Sequence, residues 1–128
     1  MSIHAQAPDS WEIKWNGETI LSANTEDNEK NTRKVSIVKS FKDPVLEIDY
    51  NDGSREGLKR SFLIFGKSDN ELLRLDSTWS ADITKETLMK ALGGAKELQI
   101  YTIALPTDPE MAARVRVRRV HLCTLTLK

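Results

Sequence analysis

The sequence has few of the residues that stabilise a protein through cross-links or bound metal ions. It contains one cysteine and two histidines among 128 residues. A single cysteine cannot form an internal disulfide, and no group of cysteines and histidines has the spacing of a structural zinc site. The cysteine count therefore excludes a disulfide scaffold, and it leaves the cellular compartment open.

The chain also has no excess of charge of either sign. Nineteen lysines and arginines balance nineteen aspartates and glutamates. A molecule without net charge exerts no general attraction on nucleic acid or on an anionic membrane surface. We therefore predict no nucleic-acid partner, and an electrostatic partner would have to bind a local patch of charge.

Long hydrophobic runs are absent as well. No segment approaches the roughly 18 apolar residues of a membrane helix, which predicts that the chain does not insert into a membrane. The first ten residues lack the apolar region of a signal peptide, although Ala5-Gln6-Ala7 resembles a signal cleavage site. One hypothesis is that Met1–His4 replaces a signal peptide, in which case the mature protein is exported.

Motifs of the common enzyme classes are missing too. The sequence contains no Gly-x-Ser-x-Gly, His-Glu-x-x-His or Gly-x-Gly-x-x-Gly motif. We therefore assign no catalytic residue, and we predict no metal and no cofactor.

The composition that remains is that of a globular domain, with 39% hydrophobic and 30% charged residues. Residues 10–128 are predicted to form a single β domain, preceded by a flexible N-terminal segment, 1–9. In the first part of this domain, apolar and polar residues alternate over Trp11–Trp15, and Asn16-Gly17 is typical of a tight hairpin turn. Trp11 and Trp15 share a face with Ile13, which predicts that both lie in the core.

Short strands separated by turn residues recur along the rest of the chain. Thr84 as N-cap, helical spacing up to Leu92 and the following Gly93-Gly94 predict one short helix. The fold class predicted is mainly β, an antiparallel sandwich or flattened barrel of about eight strands with one short α-helix (84–92). Further strands are expected at 18–21, 35–41, 46–50, 60–65, 72–75, 98–105 and from 113 onwards.

The C-terminal segment is the most distinctive part of the sequence. As one strand, it would carry Arg114, Arg116 and Arg118 on one face, a spacing suited to binding anionic groups. The alternative is that these arginines pair with acidic residues or project into water. On the other face, Arg119 and His121 would point inward with the buried valines, unless a β-bulge near Arg118-Arg119 changes the phase.

Pairing of this strand with 98–105 predicts a polar cluster in the hairpin, consisting of Glu97, Gln99, Arg119 and His121. The cluster can be interpreted as cross-strand ion pairing or as the wall of a ligand pocket. Trp79, in a polar segment before the helix, is a further candidate for an exposed contact. The candidate ligand-binding residues are Arg114, Arg116, Arg118, Arg119, His121, Glu97 and Trp79.

These observations favour a non-catalytic binding or interaction module that uses the C-terminal hairpin. The partner would be an anionic molecule, a glycan or a protein, and the module would be a monomer or a homodimer. One alternative is a small-ligand carrier with a cavity near Arg119 and His121. Another is a hydrolase with an unrecognised site, for which Glu97 and His121 are the only acid–base pair that the predicted strand pairing brings together.

Overall fold

The structure is a computed structural model that describes residues 9–36, 42–52, 58–76, 78–114 and 117–128. The described residues form nine strands and two helices, which confirms the mainly β class. Residues 1–8 of the predicted flexible segment lie outside this described part. The strands are β1 (Ser10–Trp15), β2 (Glu18–Ala23), β3 (Thr32–Val35), β4 (Leu46–Asn51), β5 (Leu58–Gly66), β6 (Glu71–Leu75), β7 (Ser80–Ile83), β8 (Glu97–Pro106) and β9 (Val120–Leu127), and the helices are α1 (Lys85–Leu92) and α2 (Pro109–Arg114).

The strands form two sheets that together make a β-sandwich. One sheet has the order β2-β1-β4-β7, and the other has the order β3-β9-β8-β5-β6. Neighbouring strands are antiparallel except β3 and β9, which are parallel. The first sheet therefore brings together β1 and β4, which are far apart in the sequence.

Alternation of side chains places the core between the sheets. Ile13 and Ile48 from the first sheet and Phe62, Ile64 and Ile100 from the second are fully buried. Trp11 and Trp15 belong to the same cluster, which confirms their predicted core positions.

The predicted turns and helix form where their local signals indicated. Asn16 and Gly17 both have positive φ angles, 54° and 81°, as the hairpin between β1 and β2 requires. Thr84 caps α1 by accepting a hydrogen bond from the Thr87 backbone N–H, and Gly93 ends the helix with a φ of 56°. Neither α1 nor α2 is long and apolar enough to cross a membrane.

The predicted strand from Ala113 is wrong, because α2 occupies this part of the chain. Asp108 accepts a hydrogen bond from the Glu110 backbone N–H, and Pro109 stands at the first helical position, where its missing N–H costs nothing. Residues 117–119 have no regular structure, and β9 begins only at Val120. The strand part of the C-terminal segment is therefore shorter than predicted.

Candidate binding groove on the four-stranded sheet

The outer face of the four-stranded sheet carries a row of polar side chains. Glu12 on β1 pairs with Ser22 on β2 and with Asp49 on β4, and Asp49 pairs in turn with Ser80 on β7. All four residues are exposed, because the inward positions on either side of them hold apolar residues. Two hydroxyls and two carboxylates thus cross the sheet in one line.

This row forms part of a groove with a volume of about 730 Å³, which we call the sheet groove. Polar and aromatic residues line it together. The lining consists of Ser10, Trp11, Glu12, Ser22, Ala23, Asn24, Asp49, Tyr50, Asn51, Trp79 and Ser80.

Glu12 and Asp49 give the sheet groove its charge. Neither carboxylate forms an ion pair with any residue in the part of the chain that the structure describes. Thr19 donates a hydrogen bond of 3.5 Å to Glu12 Oε1. The groove therefore offers carboxylate oxygens as hydrogen-bond acceptors, and its negative charge disfavours anions.

Three aromatic residues follow one another across the strands that form the sheet groove. Trp11 pairs with Tyr50 on the neighbouring strand, and their stacked rings lie 5.8 Å apart with an interplanar angle of 7°. The Tyr50 backbone N–H donates to the Trp79 carbonyl over 3.1 Å. The Tyr50 hydroxyl donates to Asp9 Oδ2, and burial raises the pKa of this phenol above its usual value.

Arg60 approaches these aromatic residues from the five-stranded sheet. Its guanidinium carbon lies 3.8 Å from the centre of the Tyr50 ring and 5.4 Å from that of Trp79. Nη2 donates to Asp52 Oδ2 over 2.6 Å, and Nη1 donates to Thr102 Oγ1 over 3.0 Å. Arg60 is only 5% exposed, and its Nε has no hydrogen-bond partner among the described residues. Arg60 of the five-stranded sheet is thus buried against residues of the four-stranded sheet. Tyr50 lies on β4, Asp52 directly follows β4, and Trp79 directly precedes β7.

The predicted row of arginines does not exist. Arg114 is the last residue of α2, Arg116 lies outside the described residues, and Arg118 precedes β9. Arg118 Nη1 donates to Glu26 Oε1 over 2.9 Å, so this side chain is engaged in an ion pair. Because α2 takes Arg114 out of the strand, the three residues cannot share one strand face.

The predicted phase change in the last strand is present, but at a different residue. Cys123 pairs with Ile100 and His121 with Tyr101, so Leu122 is an extra residue without a partner on β8. This bulge lies a few residues after the predicted position near Arg118-Arg119. It turns Leu122 and Cys123 to the core together, and His121 contacts Tyr101 on the outer face of the five-stranded sheet.

Arg119 and His121 therefore do not point into the space between the sheets, which removes the structural premise of the small-ligand carrier. The Arg119 guanidinium carbon lies 4.4 Å from the ring centres of both Phe65 and Tyr101, and Nη2 donates to Asp69 over 2.6 Å. The sheet groove includes neither Arg119 nor His121.

The predicted polar cluster has a different composition, because the hairpin register differs from the predicted one. Glu97 pairs with Thr126, so the predicted pairing of Glu97 with His121 is wrong. The acid–base pair of the hydrolase hypothesis is thereby lost. Gln99 instead accepts a hydrogen bond of 2.6 Å from the Tyr101 hydroxyl.

His121 is nevertheless buried, with 3% of its surface exposed. Its Nε2 lies 2.7 Å from Thr124 Oγ1, and its Nδ1 has no hydrogen-bond partner in the part of the chain that the structure describes. Burial lowers the pKa of the imidazole, which favours the neutral form. The His121 backbone N–H donates to Glu26 Oε2 over 2.7 Å, and this bond lowers the pKa of the Glu26 carboxyl.

Trp79 is the predicted site residue that lines the sheet groove. It is half-buried and directly precedes β7, a strand that was not predicted from the sequence. Among the described residues, no three His, Cys, Asp or Glu side chains are grouped closely enough to hold a metal ion.

The groove residues Glu12 and Asp49 and the buried Arg60 were not predicted as site residues. A signal for Arg60 exists, because it shares strand parity with the buried Phe62 and Ile64. Glu12 and Asp49 have only the pattern of solvent-facing positions, because the sequence does not reveal that β1 and β4 are neighbours.

No known protein family, characterised protein or solved structure matches this chain. The geometry of the described residues is therefore the basis for a functional proposal.

Proposed function

We propose that the protein is a non-catalytic binding module whose ligand lies in the sheet groove. The observation that carries this proposal is the lining, in which an exposed row of two carboxylates and two hydroxyls adjoins the half-buried Trp79. The sequence favours the same class of function but places the site on the C-terminal hairpin. Binding sites use a few precisely placed polar groups to fix the orientation of a ligand, and the sheet groove offers such a row beside Trp79.

The ligand class that fits this lining is a neutral, polyhydroxylated molecule such as an oligosaccharide. Carboxylates accept hydrogen bonds from ligand hydroxyls, whereas serine hydroxyls and asparagine amides both donate and accept them. The half-buried Trp79 adds an aromatic side chain with a polar tip at one end of the row, whereas the Trp11 and Tyr50 rings lie in the core. Glu12 and Asp49 disfavour an anionic ligand by repulsion, since no described cation neutralises them.

Titration calorimetry against a panel of neutral oligosaccharides tests this proposal. We expect the wild-type protein to bind at least one of them, and we expect Glu12→Gln with Asp49→Asn to weaken binding about tenfold or more through loss of charge-assisted hydrogen bonds. Ser22→Trp should block the groove by its bulk. Asp82→Asn is the matched control, because Asp82 is exposed on β7 of the same sheet but does not line the groove.

Two results would contradict the proposal. One is that no oligosaccharide of the panel binds the wild-type protein. The other is that a bound oligosaccharide is held equally well by Ser22→Trp, because a ligand in the sheet groove cannot tolerate an indole in the middle of its site.

A second candidate function is self-association through α2. Met111 and Val117 are the exposed large apolar side chains of the described residues, at 55% and 39%. A two-fold contact between two antiparallel copies of α2 would place Glu110 of one copy opposite Arg114 of the other. The sequence is compatible with a monomer or a homodimer, and a contact through α2 would bury the exposed Met111.

Sedimentation velocity over a range of concentrations tests this second candidate. We expect a dimer that Met111→Asp dissociates and that Asp82→Asn leaves intact. A monomer at all concentrations, or a dimer insensitive to Met111→Asp, would exclude α2 as the interface.

A further inference from the structure

We propose that the ligand of the sheet groove is an extended, β-linked oligosaccharide chain that lies across the strands rather than along them. This inference rests on the function proposed above and adds the direction, the length and the linkage of the ligand. The observation that carries it is the register of the four strands that form the groove.

The sheet groove runs across the strands near one end of the four-stranded sheet. β1 and β4 each contribute three consecutive residues to its lining, β2 and the residue after it contribute three more, and the start of β7 contributes Trp79 and Ser80. Glu47 and Asp82, which lie further along β4 and β7 on the same face, do not line it. The long axis of the groove therefore extends from β2 to β7, which is three strand separations or about 14 Å.

Two rows of polar side chains border the groove. The first is the row from Ser22 to Ser80 described above. The second lies two residues further along the strands, on the same face of the sheet, and consists of Asn24, Ser10 and Asn51. Outward positions that follow one another on a strand are about 7 Å apart. A sugar ring with hydroxyls on both of its edges can therefore reach both rows at once.

Main chain forms the floor between the two rows. Trp11, Ala23 and Tyr50 lie between them in the sequence, and their side chains belong to the core or pack against it on the inner face. These three side chains therefore leave the space between the rows open for a flat ring. One edge of the ring would meet the carboxylates, which only accept hydrogen bonds, and the other would meet amides and the Ser10 hydroxyl, which also donate them.

The spacing of the strands sets the repeat and the length of the ligand. Neighbouring strands lie about 4.8 Å apart, which is close to the distance between successive rings in an extended β-linked chain. One step across the sheet therefore matches one step along such a chain, and the groove holds about three sugar units. The register shift between Ile13 and Lys14 lies outside the row and does not disturb this match. An α-linked glucose chain curves, so its successive rings cannot stay in register with the row.

Titration calorimetry of the wild-type protein tests the length and the linkage. The probes are cello-, manno- and xylo-oligosaccharides, which are β-linked, in lengths from one to five units. In a series that binds, we expect the affinity to rise about fivefold or more with each unit up to three, because each unit adds hydrogen bonds. We expect no further rise from four to five units, because the added unit lies beyond the groove. Malto-oligosaccharides are the matched control, since their α-linked glucose units carry the same hydroxyls on a curved chain.

NMR of the ¹⁵N-labelled protein tests the direction. Ser22 and Ser80 lie on β2 and β7, the two outer strands of this sheet, and we expect both amide signals to shift when the trisaccharide binds. The amide signal of Asp82, two residues further along β7, should stay in place because Asp82 does not line the groove. Shifts at Ser80 and Asp82 without a shift at Ser22 would place the ligand along β7 and overturn the inference.

Three calorimetric results would also overturn the inference but leave the proposed function intact. They are a single sugar unit that binds as tightly as three, an affinity that still rises from four to five units, and binding of the malto-oligosaccharides alone. If no oligosaccharide binds, the proposed function fails and the inference fails with it. The two failures can be told apart, because in the first case the protein still binds an oligosaccharide.

Discussion

Arg60 Nη2 lies 2.6 Å from Asp52 Oδ2, and each side chain of this ion pair is only 5% exposed. The pair joins β5 of the five-stranded sheet to the residue that follows β4 of the four-stranded sheet. A buried ion pair stabilises a fold little more than an apolar pair of similar volume. Removing one of its partners, however, leaves an uncompensated charge in the interior. This connection between the sheets is therefore stabilising only when both residues are present.

We predict that Asp52→Ala lowers the free energy of unfolding by about 3–5 kcal/mol, because the Arg60 charge loses its buried partner. Urea unfolding followed by circular dichroism measures this loss. Arg74→Ala is the control, since Arg74 forms ion pairs with Glu71 and Asp76 at the surface, and such pairs contribute at most about 1 kcal/mol. Equal losses of unfolding free energy in the two variants would contradict the prediction that the buried ion pair matters more for stability than a surface pair.

A second prediction concerns the bulge at Leu122. The Trp11 indole Nε1 donates to the Leu122 carbonyl over 3.0 Å, and this buried bond crosses from one sheet to the other. Trp11→Phe would leave the carbonyl without this donor, which we expect to lower the free energy of unfolding by about 1–3 kcal/mol. Trp15→Phe should cost less, because Trp15 Nε1 donates over 3.2 Å to the carbonyl of the exposed Ser36, which water can also reach. Thermal unfolding of both variants would show which one loses more stability. A larger loss of stability in Trp15→Phe would contradict the prediction.

Features set by neighbouring residues in the chain could be predicted from the sequence. The Asn16-Gly17 turn and α1 formed as expected because their signals, a pair that tolerates positive φ and a capped amphipathic segment, act over a few residues. The strand predicted from Ala113 failed for a related reason. That prediction rests on the alternating Arg-Val pattern from Arg114 and does not take Asp108-Pro109 into account, where α2 begins.

The site could be predicted much less well, because it depends on contacts between distant residues. Alternation along β1 identifies Glu12 as outward-facing, but only the pairing with β4 places Asp49 beside it. The same holds for His121, whose direction depends on the extra residue Leu122. Trp79 was singled out from the sequence as a candidate contact, but its contact with Arg60 follows from the packing of two sheets.

A third prediction concerns Cys123, the single cysteine of the chain. Its thiol is fully buried, and burial raises its pKa to about 12. Since the thiolate is the reactive form, we expect no reaction with Ellman's reagent at neutral pH in the folded protein and one equivalent in denaturing urea. A rapid reaction without denaturant would mean that the bulged part of β9 opens readily.

The last prediction is a loss of stability on mild acidification that originates at His121. Burial lowers the pKa of His121 in the folded protein below its ordinary value of 6.5, whereas the unfolded chain keeps that ordinary value. Between the two pKa values, the unfolded chain binds a proton that the folded protein does not. The free energy of unfolding therefore falls as the pH drops below about 6.5, and the fall from this group ends once the folded pKa is passed.

Glu26 acts in the same direction but in a lower pH range. The hydrogen bond from the His121 backbone N–H lowers the pKa of Glu26 from 4.5, so the stability that it contributes is lost only below that value. Because glutamine does not titrate, His121→Gln should remove the loss of stability just below pH 6.5. The loss of stability below pH 4.5 should remain. His4→Gln is the matched control, as His4 belongs to the segment that the sequence predicts to lie outside the core. Chemical unfolding at a series of pH values would measure the free energy of unfolding in both pH ranges. If His121→Gln still loses stability just below pH 6.5, another group is responsible for that loss.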